Sequence, residues 1–443
     1  MAPLGAGEVR EVCRVRDTRL GPDVAVTIIP AESTPWTAPS ARPGLNHSIG
    51  PIRIAEWDVA RGTAMLAVFL SHFLDEYFLI PRYRRGAYLV SVAAACRVAT
   101  PAFVLLSGIV VGYLYRTTGT RFAAVRLRLV DKGLFVLTAG HLLIALFTAG
   151  KSNFSTSISQ GYVTDTLAFC LAASLLLLPY LRSGTRLVGG AALCVLSWLA
   201  WDFWLPVTPG REVLKEILLG PDRDGTILFF FPLLPWFGVH LMGGYLGERL
   251  SAYRDLSVQG AKMLAKIGAT ALITVVAARV GFQILFDLGW LTKTPRLYEY
   301  ISPYQKYPPG PVYLLFFGGS ALLLIAGVLS AMKLEAVRPA LKVLQTLGRN
   351  SLLAFLLQYF VYYTVLHWLV THTDLITPTT GPLYLLISVL GLLASVWTLD
   401  KVGVQRVWTV GLPQLVARWP WMAQPLHNPS AKDLSSGFGG RAS

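Results

Sequence analysis

WDVARGTAMLAVFLSHFLDEYF (57–78), a short basic loop, and YLVSVAAACRVATPAFVLLSGIVVGYLY (88–115) are two long apolar segments that nevertheless carry Asp58, Arg61, His72 and Arg97. Charged and polar groups of this kind are costly in hydrocarbon unless they face a partner or a water-filled cavity, so a segment that keeps them inside an apolar run marks a functional interior. Arg61 and His72 are eleven residues apart. At roughly 100° per residue that spacing returns to nearly the same helix face, about 16 Å further along. Asp58 stands one turn before Arg61 on that face and is placed to pair with it at i,i+3.

The rest of the chain agrees with a membrane setting. Of 443 residues, 54% are apolar and only 14% charged, against about 25% charged in soluble globular chains; mean hydropathy is +0.53. The sequence therefore predicts an all-α polytopic membrane protein. The net charge of +15 fits loops beside an anionic cytoplasmic leaflet better than it fits nucleic acid. The four cysteines form no CxxC pair, so neither a disulfide framework nor a metal site is indicated.

A spanning helix needs about 20 mostly apolar residues. That rule predicts about ten spans: 58–80, 87–115, 133–150, 163–181, 187–206, 227–247, 266–290, 311–331, 350–371 and 382–400. One set of alternate loops carries fifteen Lys and Arg, among them Arg116, Arg182, Lys262 and Lys342, and the other set ten. The positive-inside rule then puts both termini in the cytoplasm. Residues 1–50, rich in Pro, Ala, Ser and Gly, read as a disordered extension, and 411–443 as a cytoplasmic tail. The far-side loops 151–162, 207–226 and 291–310 are long and polar, which suits a polar acceptor.

With that orientation Arg61 lies near the cytoplasmic end of the first span, and Arg97, in the second, lies close to the level of His72. Pro101 cannot donate to the carbonyl of Arg97, so the helix bends or opens there and another polar group must take the freed oxygen. Ser107 and Gly108 permit close helix approach. Each ionisable residue also has a plain structural reading: Arg61 as an interfacial anchor, Arg97 as a snorkelling or paired cation, His72 as a packing histidine. His141 and His240 either line the same cavity or are structural. Arg279, beside Gln283, sits mid-span, where the cost of a central charge favours a cavity-facing position.

No nucleophile elbow, Walker loop, HExxH or GxGxxG is present. What remains is a buried histidine with cations above and below it. Such a histidine serves as a general base toward a hydroxyl or amine, or as a transient acyl carrier, and arginines fit donor phosphates or a developing oxyanion. The same set equally serves a proton relay in a transporter or exporter of a glycan or lipid-linked substrate.

Five blocks separate these readings: WDVARGTAMLAVFLSHF (57–73), RVATPAFVLLSG (97–108), FPLLPWFGVHLMGGYLGE (231–248), KYPPGPVYLLFFGG (306–319) and LGRNSLLAFLLQYF (347–360). In these the chain resembles bacterial membrane proteins related to heparan-alpha-glucosaminide N-acetyltransferase, within the transmembrane acyltransferases that include acyltransferase family 3. The fifth block departs from the pattern, since Gln358 stands near where many relatives carry histidine. The resemblance implies a transmembrane acyltransferase domain over 51–410 in the cytoplasmic (inner) membrane. It implies transfer of an acetyl or similar group from acyl-CoA, acetyl-CoA above all, to a carbohydrate or glycoconjugate hydroxyl or amine across the membrane, with lipid around the protein and no metal. The candidate catalytic residues are then His72, Arg97 and Arg279, and the candidate donor-binding residues Asp58, Arg61 and Arg116.

Overall fold

The computed structural model describes residues 12–15, 24–27, 54–79, 87–206, 208–221, 229–292 and 301–404, with positions 294, 297 and 299 between the last two segments. Of the expected N-terminal extension it describes only a hairpin, β1 (Val12–Val15) antiparallel to β2 (Val24–Thr27), which belongs to a unit of its own. The rest of the extension, the tail 411–443 and both termini lie outside the described residues.

From Ile54 onward the described chain is helical. In order it runs α1 (Ala55–Tyr77), α2 (Ala87–Cys96), α3 (Ala99–Thr118), α4 (Phe122–Phe135), α5 (His141–Thr148), α6 (Phe154–Ser159), α7 (Val163–Leu177) and α8 (Ser183–Phe203). It continues with α9 (Pro209–Leu218), α10 (Leu233–Leu250), α11 (Ala261–Asp287), α12 (Pro311–Ala331), α13 (Arg338–Arg349), α14 (Ser351–Tyr359), α15 (His367–His372) and α16 (Gly381–Val402). π-helical turns join α4 to α5 at Val136–Gly140 and α14 to α15 at Phe360–Leu366.

Each of the ten segments expected to span contains a helix, and among the described residues seven helices are long and apolar enough to cross a membrane. The other three are α1, the 15-residue α7 and the 18-residue α10. α1 and α10 depart from a uniformly apolar composition because protein surrounds them. A helix shielded from lipid does not need an apolar surface on every side.

Two apolar cores meet along α1. Trp57, Val59, Ala60 and Ala64 pack with α3, α10 and α12, whereas Met65, Phe69, Phe73 and Tyr77 pack with α14, α15 and α16. Glycines set the spacing. A Cβ on Gly108 or Gly112 would overlap carbonyl oxygens of His240 and Gly244 on α10, and one on Gly62 would overlap that of Leu344 on α13. Backbones in contact at these points hold α1, α3, α10 and α13 rigidly side by side.

The second expected span is two helices, since α2 ends at Cys96 and α3 begins at Ala99. Arg97 and Val98 form the junction, with their amides bonded to the carbonyls three residues back. Pro101 accounts for the break, and the carbonyl of Arg97 that it leaves free accepts a hydrogen bond from the Tyr313 hydroxyl at 3.4 Å.

Candidate active site

His72 lies on the half of α1 that faces α14. Its Nδ1 is 2.6 Å from Oε1 of Gln358, and its ring is flanked by Phe355 at 6.3 Å, Tyr359 at 5.5 Å and Tyr363 at 5.3 Å between centroids. Tyr359 and Tyr363 are i,i+4 neighbours on one side of the helix, with their rings 5.1 Å apart, and a π-helical turn begins just after Tyr359. Turns of this kind recur at functional sites.

The imidazole borders a cavity of about 420 Å³, into which Asp75, one turn further along α1, also opens. Three cations reach the cavity wall, each held by a different device. Arg97 donates from Nη1 to the Tyr304 carbonyl at 3.1 Å and lies 5.6 Å from that ring's centroid. Lys306 sits over the rings of Phe231 and Tyr307. Lys151 pairs with Glu76, a fully buried carboxylate whose other oxygen is 2.7 Å from Nδ1 of His367. A carboxylate without water needs such partners, and in meeting that need it anchors Lys151. The wall is therefore strongly electropositive, and among the described lining residues Asp75 is the one carboxylate.

A narrower cavity of about 190 Å³ opens toward the other end of α1, where it is bordered by Arg61 and Lys132. Arg61 pairs with Asp58 at 3.1 Å, as the i,i+3 spacing predicts. Phe103, Leu167 and Phe355 line both cavities. Phe355 also touches His72, so the two spaces meet beside the imidazole.

The structure thus brings His72 and Arg97 to one cavity and Arg61, with Asp58 behind it, to the adjoining one. Arg116 is exposed at the last turn of α3. The contact of Tyr113 with Trp57 puts that turn at the Arg61 end, but Arg116 lines neither cavity. Arg279 is also exposed and lines neither. Gly268 meets Gly319 and Leu323, while Ala271 and Leu272 meet Gly319, so α12 runs opposite to α11. By equal rise along both helices, Pro311, the first residue of α12, is reached about eight residues beyond these contacts, between residues 276 and 280. Arg279 thus stands at the level where α12 begins, and Gln283 is spent on Asp287 at 2.7 Å.

His141 and His240 are committed elsewhere. His240 is buried against Ser174 at 2.9 Å. His141 has Asp165 at 2.9 Å from Nδ1 and the Ile158 carbonyl at 3.0 Å from Nε2. Both atoms facing His141 are acceptors, which suits a structural pair better than a base. Sequence reasoning missed Gln358, Asp75 and Lys151 as site residues, and it noted Lys306 only as a loop lysine. The signal available for Lys151 and Lys306 was their place in the long polar loops. Among the described residues no three His, Cys, Asp or Glu side chains gather as metal ligands do.

The family model described as heparan-alpha-glucosaminide N-acetyltransferase, catalytic, matches residues 53–278, about half of the chain. The match takes in Asp58, Arg61, His72, Arg97 and Lys151 and stops before Arg279, Lys306 and Gln358. No curated protein and no solved structure matches the chain.

Proposed function

Because the chain belongs to the heparan-alpha-glucosaminide N-acetyltransferase family, we propose that it is a membrane acyltransferase. In this reading it moves an acetyl or similar group from cytoplasmic acyl-CoA to a sugar hydroxyl or amine on the far side of the cytoplasmic membrane. The observation that carries the reading is the meeting of two cavities, one lined by Arg61 and Lys132 and one by Arg97, Lys151 and Lys306, at the side of His72.

Each space suits one substrate. The narrow, mostly apolar cavity with cations at its mouth fits a thioester arm led by phosphates, since guanidinium and ammonium groups bind phosphate oxygens. The wider cavity draws its polar wall from the loops that bear Lys151 and Lys306 and fits a sugar. His72 takes the proton of the acceptor hydroxyl or amine as the new bond forms at the thioester carbon. The carbon–sulfur bond then breaks, and His72 returns the proton to the departing sulfur. Arg97 steadies the negative charge that builds on the carbonyl oxygen. Phe103, Leu167 and Phe355 keep water from the thioester between turnovers.

The test is binding and turnover of radiolabelled acetyl-CoA by the purified full chain in detergent, with His72→Ala and Arg97→Ala beside wild type. Specific binding in all three, with turnover lost in the His72 variant, is the expected result. Absence of binding to any acyl-CoA would leave the family likeness one of fold and bring forward a transporter that uses the same polar path.

A further inference from the structure

We propose that Gln358 is the positioning residue of this site: its carbonyl oxygen accepts a hydrogen bond from Nδ1–H of His72 and holds the imidazole in the tautomer whose Nε2 carries the lone pair. The proposal rests on the acyltransferase reading for its effect on turnover, and on geometry alone for the tautomer.

Three observations support it. The Nδ1 to Oε1 distance of 2.6 Å is short enough for a well-formed hydrogen bond. Gln358 is fully buried, and its own amide nitrogen has no hydrogen-bond partner among the described residues. A leucine or methionine would fill the space without stranding a donor, so packing does not explain an amide here. What the amide adds is an acceptor aimed at Nδ1. Finally, Phe355, Tyr359 and Tyr363 crowd the ring, so the imidazole cannot turn freely to exchange its two nitrogens.

The chemical consequence follows from the neutral imidazole having one N–H and one lone pair. With Nδ1–H given to Gln358, Nε2 is the nitrogen free to receive the acceptor's proton as the acyl carbon is attacked, and to hand it on to sulfur. In the opposite tautomer the same nitrogen carries a hydrogen and cannot act as a base. Gln358 touches neither substrate nor reacting atom, and it acts only through His72. His72 lies within the matched range 53–278 and its partner Gln358 beyond it.

The experiment uses the full chain in lipid nanodiscs with 15N-labelled histidine and no acyl donor. The His72 signals are identified among the seven histidines by their loss in His72→Ala. The expected spectrum shows Nδ1 protonated and Nε2 bare in wild type. Gln358→Glu, which keeps an acceptor oxygen, preserves that pattern, and Gln358→Leu replaces it with a mixture. In parallel, Gln358→Leu lowers kcat for acetyl transfer about tenfold or more with KM for acetyl-CoA within about twofold, and Gln358→Glu recovers most of the rate. A wild-type His72 protonated at Nε2 overturns the proposal, as does a Gln358→Leu variant with unchanged spectrum and unchanged kcat. A spectrum as expected in a protein that turns over no acyl-CoA supports the tautomer assignment and sinks the acyltransferase reading instead.

Discussion

α1 and α11 each carry ionisable side chains at mid-length, and the molecule treats them in opposite ways. On α1 every side is covered by other helices, and its polar residues open into cavities, through Arg61 at one end and His72 and Asp75 at the other. On α11 the buried residues form one short stripe, Ala261, Leu264, Gly268 and Val275, while Ile273, Val276, Val280 and Ile284 are exposed. Arg279 follows that stripe in angle yet is exposed, at the level where α12 begins. Helical phase therefore tells which residues share a face, and the packing of neighbouring helices decides whether that face meets protein.

The largest effect that would break this comparison is on activity. His72→Ala should lower acetyl transfer about 10²- to 10⁴-fold, the usual contribution of a positioned base, with the protein still monodisperse in detergent. Transfer within a few-fold of wild type would remove α1 from the chemistry. Next is folding. Gly62→Val forces side-chain atoms against the Leu344 carbonyl and should cost about 1–3 kcal/mol or abolish folding, read as a lower melting temperature. Gly281→Ala on α11, where a Cβ meets nothing, should leave stability unchanged or raise it by about 0.5–1 kcal/mol.

A smaller contrast separates the two arginines. Arg97→Ala should slow transfer about 10-fold or more by withdrawing a charge from the cavity that His72 borders, whereas Arg279→Leu should keep kcat/KM within about twofold of wild type. Equal losses in the two variants would put Arg279 back in the site.

The smallest effect is at the exposed loop that leads into α11. There the Lys333 ammonium, with help from the Ser257 hydroxyl, holds the Asp255 carboxyl down at about 2. That value lies below the usual aspartate range of about 3.9. Any stabilisation from the pair is therefore present above about pH 4 and fades as pH falls toward 2. Because both groups face water, Lys333→Ala should shift the melting temperature slightly at neutral pH, and the shift should shrink steadily as pH falls from about 4 toward 2. A shift of the same size at pH 2 as at neutral pH would mean that Lys333 acts by some other contact.

Much of the fold was legible in the chain. The apolar runs marked a helix in each expected span, though not α6, α9 or α13. Pro101 marked the break at Arg97, and Gly108 with the glycines of 231–248 marked segments that pack closely, which prove to be α3 against α10. The bonds that span the bundle were not. Gln358 lies 286 residues from His72, and no periodicity within either helix points from one to the other.

By itself the sequence determined the membrane character, the helical segments and the face of α1 that bears Arg61 and His72, because hydropathy and the 3.6-residue turn act locally along the chain. The tertiary structure alone decided that Lys151 and Lys306 reach His72's cavity, that Arg279 does not, and that Gln358 meets Nδ1. Those outcomes depend on which helices lie side by side and where each one ends, and that is set by packing between segments far apart in sequence.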